Sequence, residues 1–374
     1  MNIPDFLIFY IIIPIFVLTI LVFVHEWGHF WVARRNNVKV EVFSIGFGPE
    51  LFGFNDKYGT RWKFSSIPLG GYVKMFGEMG NNVNDTKNQL EITEEEKLVS
   101  FQFKTLGQRA AIVAAGPIVN FIFAIFAFAI LASVIGTTRP LAGVGKVLPE
   151  SAAEQAGFQN GDKIFKIENQ KVIYFDDVRE IVQKNPNIPL LFYIDRNGTD
   201  IILTATPKSS DPTNLTSNNK TNRGILGIEL NQNYFETVRK DPITAIWFGF
   251  ERTIYFSINI LEYVLDIFFK GRTTDDLGGP LRIAEISGDM AQKGPEQLLF
   301  LMAILSVNLG LINLFPIPML DGGHLMFYAI EGLLGRPLGQ RLQDYSFRIG
   351  LILVMTLFVF IIGKDIVHFF NKLS

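Results

Sequence analysis

Four long runs of residues without a single charge constrain this chain more than any other feature. A helix that crosses the hydrocarbon core of a bilayer needs about 20 predominantly apolar residues. The runs at residues 6–24, 110–138 and 298–320 are long enough, and snorkelling of Lys364 would extend a shorter run at 349–363. The sequence therefore predicts a polytopic α-helical membrane protein with transmembrane helices at residues 6–30, 110–136, 298–317 and 346–369.

A fifth apolar stretch, at residues 243–269, carries charges and fits a membrane span poorly. At 100° per residue, its polar side chains fall on one narrow stripe: Glu251, Tyr255, Asn259, Glu262 and Asp266. This pattern is typical of an amphipathic helix that lies in the membrane interface or against other helices. We expect this interfacial helix within a connector at residues 233–296.

Basic residues beside the runs predict the orientation of the chain. They cluster between the first and second runs and between the third and fourth: Arg34, Arg35, Lys39, Lys104, Arg109, Arg336, Arg341 and Arg348. The positive-inside rule places these two connections in the cytoplasm. We therefore expect a multi-pass protein of the cytoplasmic (inner) membrane, with both termini and the segment between the second and third runs on the periplasmic side.

The segment between the second and third runs has the composition of a soluble domain. Short β-branched runs at residues 141–206 alternate with turn signals such as Asn160-Gly161-Asp162. A Ser-, Asn- and Thr-rich surface loop is expected at 208–223, and residues 224–230 would form the last strand. The sequence predicts a β-rich α+β domain at residues 139–232.

The strongest chemical signal is His25-Glu26-Trp27-Gly28-His29, which directly follows the first run. On a helix, His25 and His29 lie one turn apart on the same face, so both imidazoles can reach one metal ion. Glu26 is placed to act as base on a metal-bound water. Ionisable groups at such a depth are costly and are functional by default, and a zinc ion is their simplest partner.

A catalytic zinc ion usually takes three protein ligands and one water, so the two histidines need a third residue. The chain has no Cys, and Asp321 is the only carboxylate at the end of the third run. The first and third spans run in the same direction, so His25 and Asp321 are expected at similar depth near the cytoplasmic side. His324 could be a fourth ligand, a headgroup contact or, as we favour, a group that supports a ligand.

This ligand set also bears on the fifth stretch. If residues 243–269 crossed the membrane, the third span would be inverted and Asp321 would face the opposite surface, about 30 Å away. The metal site therefore requires that this stretch does not cross.

Two asparagines and two prolines interrupt the third run just before Asp321: Asn308, Asn313, Pro316 and Pro318. They predict a broken helix end, whose freed backbone groups need partners. Such a place can pair with an extended substrate segment or stabilise an oxyanion. Hydrogen bonding that only packs helices together is the alternative for either asparagine taken alone.

Composition excludes several classes of function. The absence of Cys excludes disulfide scaffolds, thiolate zinc sites, iron–sulfur clusters and cysteine nucleophiles. The 34 basic and 36 acidic residues nearly balance, so no electrostatic argument favours nucleic acid as a partner.

At these residues the chain resembles the site-2 proteases, which are zinc metalloproteases that cleave within the membrane. The bacterial regulator of sigma-E protease type is the most similar branch, and the likeness covers nearly the whole chain. The shared motifs are HEWGH at 25–29, GFGPELF at 46–52, PLGGYVKMFGE at 68–78, GQRAAIVAAGPIVNFIFAIFAF at 107–128, LGGPLRIA at 277–284 and SVNLGLINLFPIPMLDGGH at 306–324. The last motif is far more specific than H-E-x-x-H alone.

The resemblance implies roles for particular residues. His25, His29 and Asp321 would be zinc ligands and Glu26 the catalytic base. Substrate contacts would come from Asn313 and Pro316 and from a membrane-associated β-hairpin region at residues 42–76, which includes Gly46, Gly70, Gly71 and Tyr72. Residues 149–164 look like part of a PDZ domain, whose groove would take a peptide strand or chain end. The sigma-E protease type carries two tandem PDZ domains, whereas this chain has room for one.

The predicted function is zinc-dependent hydrolysis of transmembrane segments in single-span membrane proteins, such as anti-sigma factors or signal-peptide remnants. The lipid bilayer and the substrate are then the main partners. A membrane-anchored zincin acting on cytosolic substrates, a non-catalytic PDZ scaffold and a cation transporter remain alternatives. The scaffold predicts a missing ligand or base, and the transporter predicts an internal repeat, which the sequence lacks.

Overall fold

The computed structural model describes residues 3–78, 93–210, 223–270 and 278–373. The chain forms two compact units. The first unit consists of Met1–Ser133 and Asp241–Ser374, and the second of Val134–Lys240. The predicted surface loop at 208–223 lies mostly outside the described residues.

Four helices of the described chain are long and apolar enough to cross a membrane: Pro4–Arg35, Leu106–Ile135, Pro295–Asn313 and Arg341–Val367. The first comprises α1 (Ile3–Leu7), a π-helical turn (Ile8–Ile12) and α2 (Ile13–Arg35), and the second comprises α4 (Leu106–Ile130) and a π-helical turn (Leu131–Ile135). The third is α9 (Pro295–Asn313), and the fourth lies within α11 (Gln340–Leu373). Their number and order agree with a polytopic membrane protein.

Two boundaries differ from the sequence prediction. The first helix continues to Arg35, so the H-E-x-x-H motif lies inside α2 rather than at its end. The third helix ends at Asn313 instead of residue 317. Pro316 and Pro318 follow directly, and a proline can neither donate a backbone hydrogen bond nor be preceded easily by helical backbone.

Helix α4 is the central element of the first unit, because α2 and α9 both pack against it in the antiparallel direction. The Ser306 hydroxyl of α9 donates to the carbonyl of Asn120 over 2.8 Å, and Gly310 lies against the Pro117 carbonyl. Small residues allow such close approach between membrane helices. α2 and α9 therefore run in the same direction.

The fifth apolar stretch forms one helix, α7 (Pro242–Lys270). It packs on α4 through Ala245, Gly249 and Thr253, which are buried and spaced four residues apart. A Cβ at Gly249 would lie 2.2 Å from the Ile125 carbonyl oxygen. The sequence left two placements open, the interface or against other helices, and the structure shows this helix packed against another helix.

Helix α8 (Pro280–Lys293) packs against both α11 and the first helix. The Asp365 carboxylate of α11 is buried and accepts hydrogen bonds from the backbone N–H groups of Gly279, Leu281 and Arg282 at the start of α8. Near the other end of α8, the Tyr10 hydroxyl donates to Asp289 over 2.7 Å. The Asp365 carboxylate thus satisfies backbone N–H groups that the first turn of α8 would otherwise leave free.

The predicted β-hairpin region forms β1 (Val40–Asn55) and β2 (Arg61–Met75), which pair antiparallel. Both strands bend, so Val42 pairs with Lys74 on one side and with Arg61 on the other. The bends lie near Gly46 and Gly70, whose φ values of +89° and +99° favour glycine. Residues 71–75 consequently form one edge of a small sheet.

Helix α3 (Glu94–Val99) and a 3-10 turn (Phe101–Phe103) follow the hairpin and precede α4 in the chain.

The second unit is β-rich and contains two helices. Its elements are β3 (Thr137–Pro140), β4 (Val144–Val147), α5 (Ala152–Ala156), β5 (Lys163–Ile167), β6 (Gln170–Lys171), α6 (Phe175–Lys184), β7 (Leu190–Arg196), β8 (Thr199–Ala205), β9 (Lys208–Ser209), β10 (Gly224–Ile225), β11 (Ile228–Leu230) and β12 (Phe235–Val238). A four-stranded sheet has the order β6-β5-β7-β8. Its core contains Ile167, Phe192 and Ile194.

The second unit covers Val134–Lys240, whereas the sequence predicts a domain at residues 139–232. Residues 224–230 do not form one last strand, because the chain turns at Gly227 (φ +84°) and divides them between β10 and β11. β12 follows and pairs antiparallel with β3, so both ends of the unit lie side by side. The unit therefore extends to Lys240, and residues 233–240 do not belong to the predicted connector.

Candidate metal centre

Helix α2 presents His25, Glu26 and His29 toward one cavity of the first unit. The two histidines lie one helical turn apart, and their Nε2 atoms are 3.2 Å from each other. Both imidazoles are buried, with about a tenth of each side chain exposed. Two ring nitrogens therefore converge at one point, as the i, i+4 spacing predicts.

The backbone of α4 orients the second imidazole. His29 Nδ1 lies 2.9 Å from the carbonyl oxygen of Ile112, which can only accept a hydrogen bond. Nδ1 must therefore carry the proton, and the lone pair of Nε2 points to the convergence point. The backbone also approaches closely here, because a Cβ at Gly116 would lie 2.3 Å from His29 Nε2 and 2.9 Å from His25 Cε1.

A buried amide faces the first imidazole. The Asn120 side chain is fully buried, and its amide lies 3.0 Å from His25 Nδ1. The two ends of an amide are assigned from its hydrogen bonds. With Nδ2 toward the ring, Asn120 Oδ1 has no hydrogen-bond partner within the described residues. The opposite assignment places Oδ1 as acceptor of an Nδ1–H, which leaves His25 Nε2 free to bind a metal.

Asp321 completes the group from the start of α10 (Asp321–Leu334). Its Oδ2 lies 3.2 Å from His25 Nε2 and 3.5 Å from His29 Nε2. Gly322 and Gly323 pack directly on backbone carbonyls of the turn after α9, which sets the position of the carboxylate.

The three atoms fit a zinc ion. Zinc–nitrogen and zinc–carboxylate bonds of about 2.05 Å in a tetrahedron place ligand atoms about 3.3 Å apart. The observed separations are 3.2, 3.2 and 3.5 Å. Asp321 Oδ2 is buried and accepts no hydrogen bond from any described residue. A buried carboxylate oxygen surrounded by lone pairs needs a cation, so the donor set suits zinc.

Glu26 lies between the ligands and the edge of the β-sheet. Val73, on this edge, lines the same cavity beside it. A Cβ at Gly71 would lie 2.9 Å from Val22 Cγ1 and 3.5 Å from Glu26 Cγ, so the sheet edge packs tightly on α2. The sheet edge thus limits the room around Glu26 next to the ligands.

The cavity around this centre has a volume of about 850 Å³. Gly70, Gly71, Tyr72 and Asn313 line it, together with the zinc-binding group and Glu26. Two predicted substrate-binding residues do not. Gly46 lies at the bend of β1 against the Ile67 carbonyl, and Pro316 is exposed in the turn between α9 and α10.

His324 lies one turn after Asp321 and also lines the cavity, but it does not join the three-residue group. Its ring packs at 5.1 Å from that of Phe347, and burial lowers the pKa of its imidazole. His324 is therefore a neutral wall residue in this structure. The side chain of His368 lies outside the described residues.

Sequence reasoning missed three functional positions on α4: Ile112, Gly116 and Asn120. They lie within the motif GQRAAIVAAGPIVNFIFAIFAF, but nothing in its composition connects them with a histidine about 90 residues earlier. One signal was available. Asn120 is the only strongly polar side chain in the uncharged run at residues 110–138, and such groups in a membrane helix need a partner.

Comparisons with known proteins agree with this geometry. A family model described as peptidase family M50 matches residues 13–357. A Rhizobium meliloti protein named as a zinc metalloprotease is 43% identical, with 98% of this chain and 96% of that protein covered. Metalloprotease MmpA of Caulobacter vibrioides is 34% identical, with 94% of each chain covered.

The regulator of sigma E protease of Salmonella typhi is 33% identical, with 96% of this chain and 98% of that protein covered. The alignment has 462 positions and is therefore longer than the 374 residues of this chain. The Salmonella protein thus carries segments without a counterpart here.

We predict that Gly116→Ala weakens zinc binding about tenfold or more, because the added methyl group would collide with both imidazoles. Zinc affinity is measured on the purified protein by competition with a chelator. Gly107→Ala is the matched control, since it lies on the same helix and a Cβ there meets nothing within 4 Å. Equal zinc affinity in both variants would contradict the proposed packing.

We predict that Asn120→Ala weakens zinc binding about 10- to 100-fold, whereas Asn120→Asp retains it, because a carboxylate can still accept the His25 Nδ1–H. The same chelator competition measures both variants. If the amide nitrogen were the group that faces the ring, Asn120→Asp would lose zinc as Asn120→Ala does. That result would reverse the assignment of the amide.

Proposed function

This chain belongs to peptidase family M50 and is an integral membrane zinc metalloprotease, and we propose that it cleaves transmembrane segments of single-span membrane proteins. The proposed substrates are anti-sigma factors or signal-peptide remnants, which would be cleaved in regulated intramembrane proteolysis. The observation that carries the proposal is the position of the metal centre. His25 and His29 lie within a helix that is apolar enough to span a membrane, and Asp321 follows another such helix.

In the proposed mechanism, His25, His29 and Asp321 hold the zinc ion and Glu26 moves the proton. Zinc supplies Lewis-acid polarisation of water or of the scissile carbonyl when it is bound. The Glu26 carboxylate takes a proton from the attacking water and returns it to the leaving nitrogen.

A transmembrane substrate must leave the helical conformation before it can be cut, because helical carbonyls are already hydrogen-bonded within the helix. Residues 71–75 form a sheet edge beside Glu26, and their pairing with β1 occupies only one side. An extended substrate segment can add to the other side as a further strand. Asn313, at the end of α9, lines the same cavity and offers an amide to this segment.

The second unit is proposed to act as a PDZ domain that filters substrates by a peptide strand or chain end. Its α+β composition and its position between the second and third candidate spans support this role. The proposed location is the cytoplasmic (inner) membrane, with both termini and this unit on the periplasmic side. The active site then lies toward the cytoplasm.

Two alternatives make different predictions. A PDZ scaffold without activity would lack a ligand or the base, whereas this chain has all four residues together in one cavity. A zincin acting in the cytosol would take soluble substrates and would cleave them as readily as membrane-embedded ones. A pair of matched substrates, one soluble and one with an apolar span, separates it from the intramembrane protease.

We predict that Glu26→Gln abolishes cleavage of a model single-span substrate in detergent while the protein keeps its zinc, because the amide cannot take a proton. Asp321→Ala is expected to lose zinc as well as activity, since it removes a ligand. Cleavage is followed by electrophoresis, and zinc by elemental analysis of the same preparations. Retained cleavage by Glu26→Gln would rule out the mechanism.

We predict that a phosphatase reporter inserted at Ser210 is active, because the proposed orientation places the second unit outside the cytoplasm. The matched control is the same reporter at Gly339, between α10 and α11, where it should be inactive. The reverse pattern would overturn the orientation and with it the cytoplasmic position of the metal centre.

A further inference from the structure

A second cavity of the first unit lies at the end of α2, beyond the zinc-binding motif. Its volume is about 560 Å³, and the residues that line it include Trp31, Arg35, Asn37, Lys39 and Tyr58. None of its lining residues also lines the cavity of the metal centre. The proposed catalytic mechanism therefore makes no use of this second cavity.

The charged side chains that line this second cavity are all basic, so we call it the basic cavity. They are Arg34, Arg35 and Lys39. Arg34 is already neutralised, because it forms an ion pair with Asp56 and donates to the Thr60 hydroxyl over 2.9 Å. Arg35 and Lys39 take part in no ion pair among the residues that the structure describes. Two cations in the basic cavity therefore remain without an anion.

The neighbouring glutamates do not supply this anion. Hydrogen bonds from Thr93, with a smaller contribution from the charge of Lys39, lower the pKa of Glu96 on α3. The Glu96 Oε2 atom accepts from both the Thr93 N–H and the Thr93 hydroxyl, at 3.0 and 3.1 Å. Glu41 of β1 pairs with Lys74 instead. Neither glutamate lines the basic cavity, so an anion from outside the chain can approach both cations.

Aromatic rings hold the two cations in place. The guanidinium carbon of Arg35 lies 4.4 Å from the centre of the Trp31 ring, which is one turn earlier on α2. Lys39 Nζ lies 5.5 Å from the centre of the Phe76 ring. Such cation–π contacts restrict the movement of a charged side chain. A guanidinium that stacks by its face keeps the N–H groups at its edge available to the oxygens of a phosphate.

The basic cavity lies at the depth of lipid headgroups. The first candidate span, Pro4–Arg35, has 32 residues and is therefore about 48 Å long. The hydrocarbon core of a bilayer is only about 30 Å thick, and the headgroups bring the total to about 40–45 Å. The end of the span consequently lies among the headgroups. Trp31 is 47% exposed close to this end, and tryptophan is enriched at that depth.

The lining of the cavity restricts the anion further. Arg35 and Lys39 attract a phosphate, but they repel the positive choline or ethanolamine group of a neutral phospholipid. The exposed ring of Trp31 offers an apolar surface to the glycerol and the upper acyl chains of a lipid. Inorganic phosphate has no group that could use this surface. Basic pockets beside membrane helices are typical sites for anionic headgroups, so an anionic phospholipid suits the basic cavity best.

We propose that the basic cavity binds the headgroup of an anionic phospholipid, with Arg35 and Lys39 on the phosphate and Trp31 against the glycerol and upper acyl chains. The proposal does not rest on the proposed function, because it concerns lipid binding and needs no cleavage. Since α2 carries both histidines of the metal centre and β1 begins at Val40, the bound lipid would attach the membrane surface to both elements.

The test measures quenching of Trp31 fluorescence by phospholipids with brominated acyl chains. The full-length protein is held in micelles of a neutral detergent. The chain has 4 Trp, so every protein is also prepared with Trp31→Phe, and the difference isolates the Trp31 signal. We expect half-maximal quenching at an about 25-fold lower mole fraction of phosphatidylglycerol than of phosphatidylcholine, because each basic residue near an anionic lipid contributes roughly a factor of five.

The double variant Arg35→Gln/Lys39→Gln removes both charges and should quench equally with the two lipids. Arg336→Gln/Arg341→Gln is the matched control. It removes two positive charges from the same predicted side of the membrane, but neither residue lines the basic cavity. This control should keep the preference for phosphatidylglycerol. Zinc content is measured in all proteins to verify that the fold of the catalytic unit is intact.

Inorganic phosphate provides a further arm of the experiment. At millimolar concentration and constant ionic strength, it should leave the quenching by phosphatidylglycerol unchanged, because it cannot use the Trp31 surface. If it abolished the quenching, the ligand of the basic cavity would be free phosphate and the lipid site would be wrong.

Four other results would overturn the lipid site. They are equal quenching by both lipids in the unmodified protein, a preference that survives Arg35→Gln/Lys39→Gln, an equal loss of preference in the control, and loss of zinc in Arg35→Gln/Lys39→Gln. The third would show that general surface charge attracts the lipid, and the fourth would assign the two cations to the scaffold. No outcome depends on proteolysis, so failure of the proposed function would leave the lipid site standing.

Discussion

The rest of the catalytic unit depends on the close contact between α2 and α4. Gly28 lies where a Cβ would be 2.4 Å from the Ala115 carbonyl oxygen, and Gly116 lies directly on the two imidazoles. Neither position has room for a side chain. Because the backbones meet here, the Ile112 carbonyl can fix the tautomer of His29 and Asn120 can reach His25. A neighbouring face of α4 receives α9, which leads to Asp321. One helix thus aligns both halves of a ligand set whose members are about 290 residues apart in sequence.

On the proposed function, the β-sheet can replace backbone hydrogen bonds that a substrate loses when it is unwound within the membrane. A substrate backbone released from its helix loses hydrogen bonds that lipid cannot replace, at a cost of several kcal/mol for each unsatisfied group. An edge strand offers replacement bonds at the place where the peptide is cut. The bend near Gly70 and the bare backbone of Gly71 let this edge reach Glu26. On the proposed function, the sheet therefore offers both a wall beside the base and a pairing partner for an extended substrate.

The sequence predicted those features of the fold and site that depend on local spacing. The i, i+4 histidines and the long uncharged runs are of this kind, and Asp321 could be found because few carboxylates were available at that depth. The contacts of Gly116, Asn120 and Arg109 depend on which face of α4 meets which helix, and no periodicity within α4 carries that information. The predicted third span ends at residue 317, past the end of α9 at Asn313, because a run chosen for its lack of charge includes Pro316, whose backbone cannot continue a helix. Likewise, residues 224–230 contain a strand-like pattern that one left-handed glycine, Gly227, divides.

The depth of the metal centre limits how much of a substrate has to unfold. His25 follows Pro4 by roughly 32 Å along the first helix, which is about the full thickness of the hydrocarbon core. On the proposed function, the scissile bond therefore lies at the membrane edge, where water is available and the end of a substrate helix frays at little cost. Arg109 and Glu331, which line the same cavity, form an ion pair, and such ionic side chains are far less costly outside the hydrocarbon than within it. Only the segment beside the metal centre has to be extended, so the residues next to the scissile bond carry the main structural requirement on a substrate.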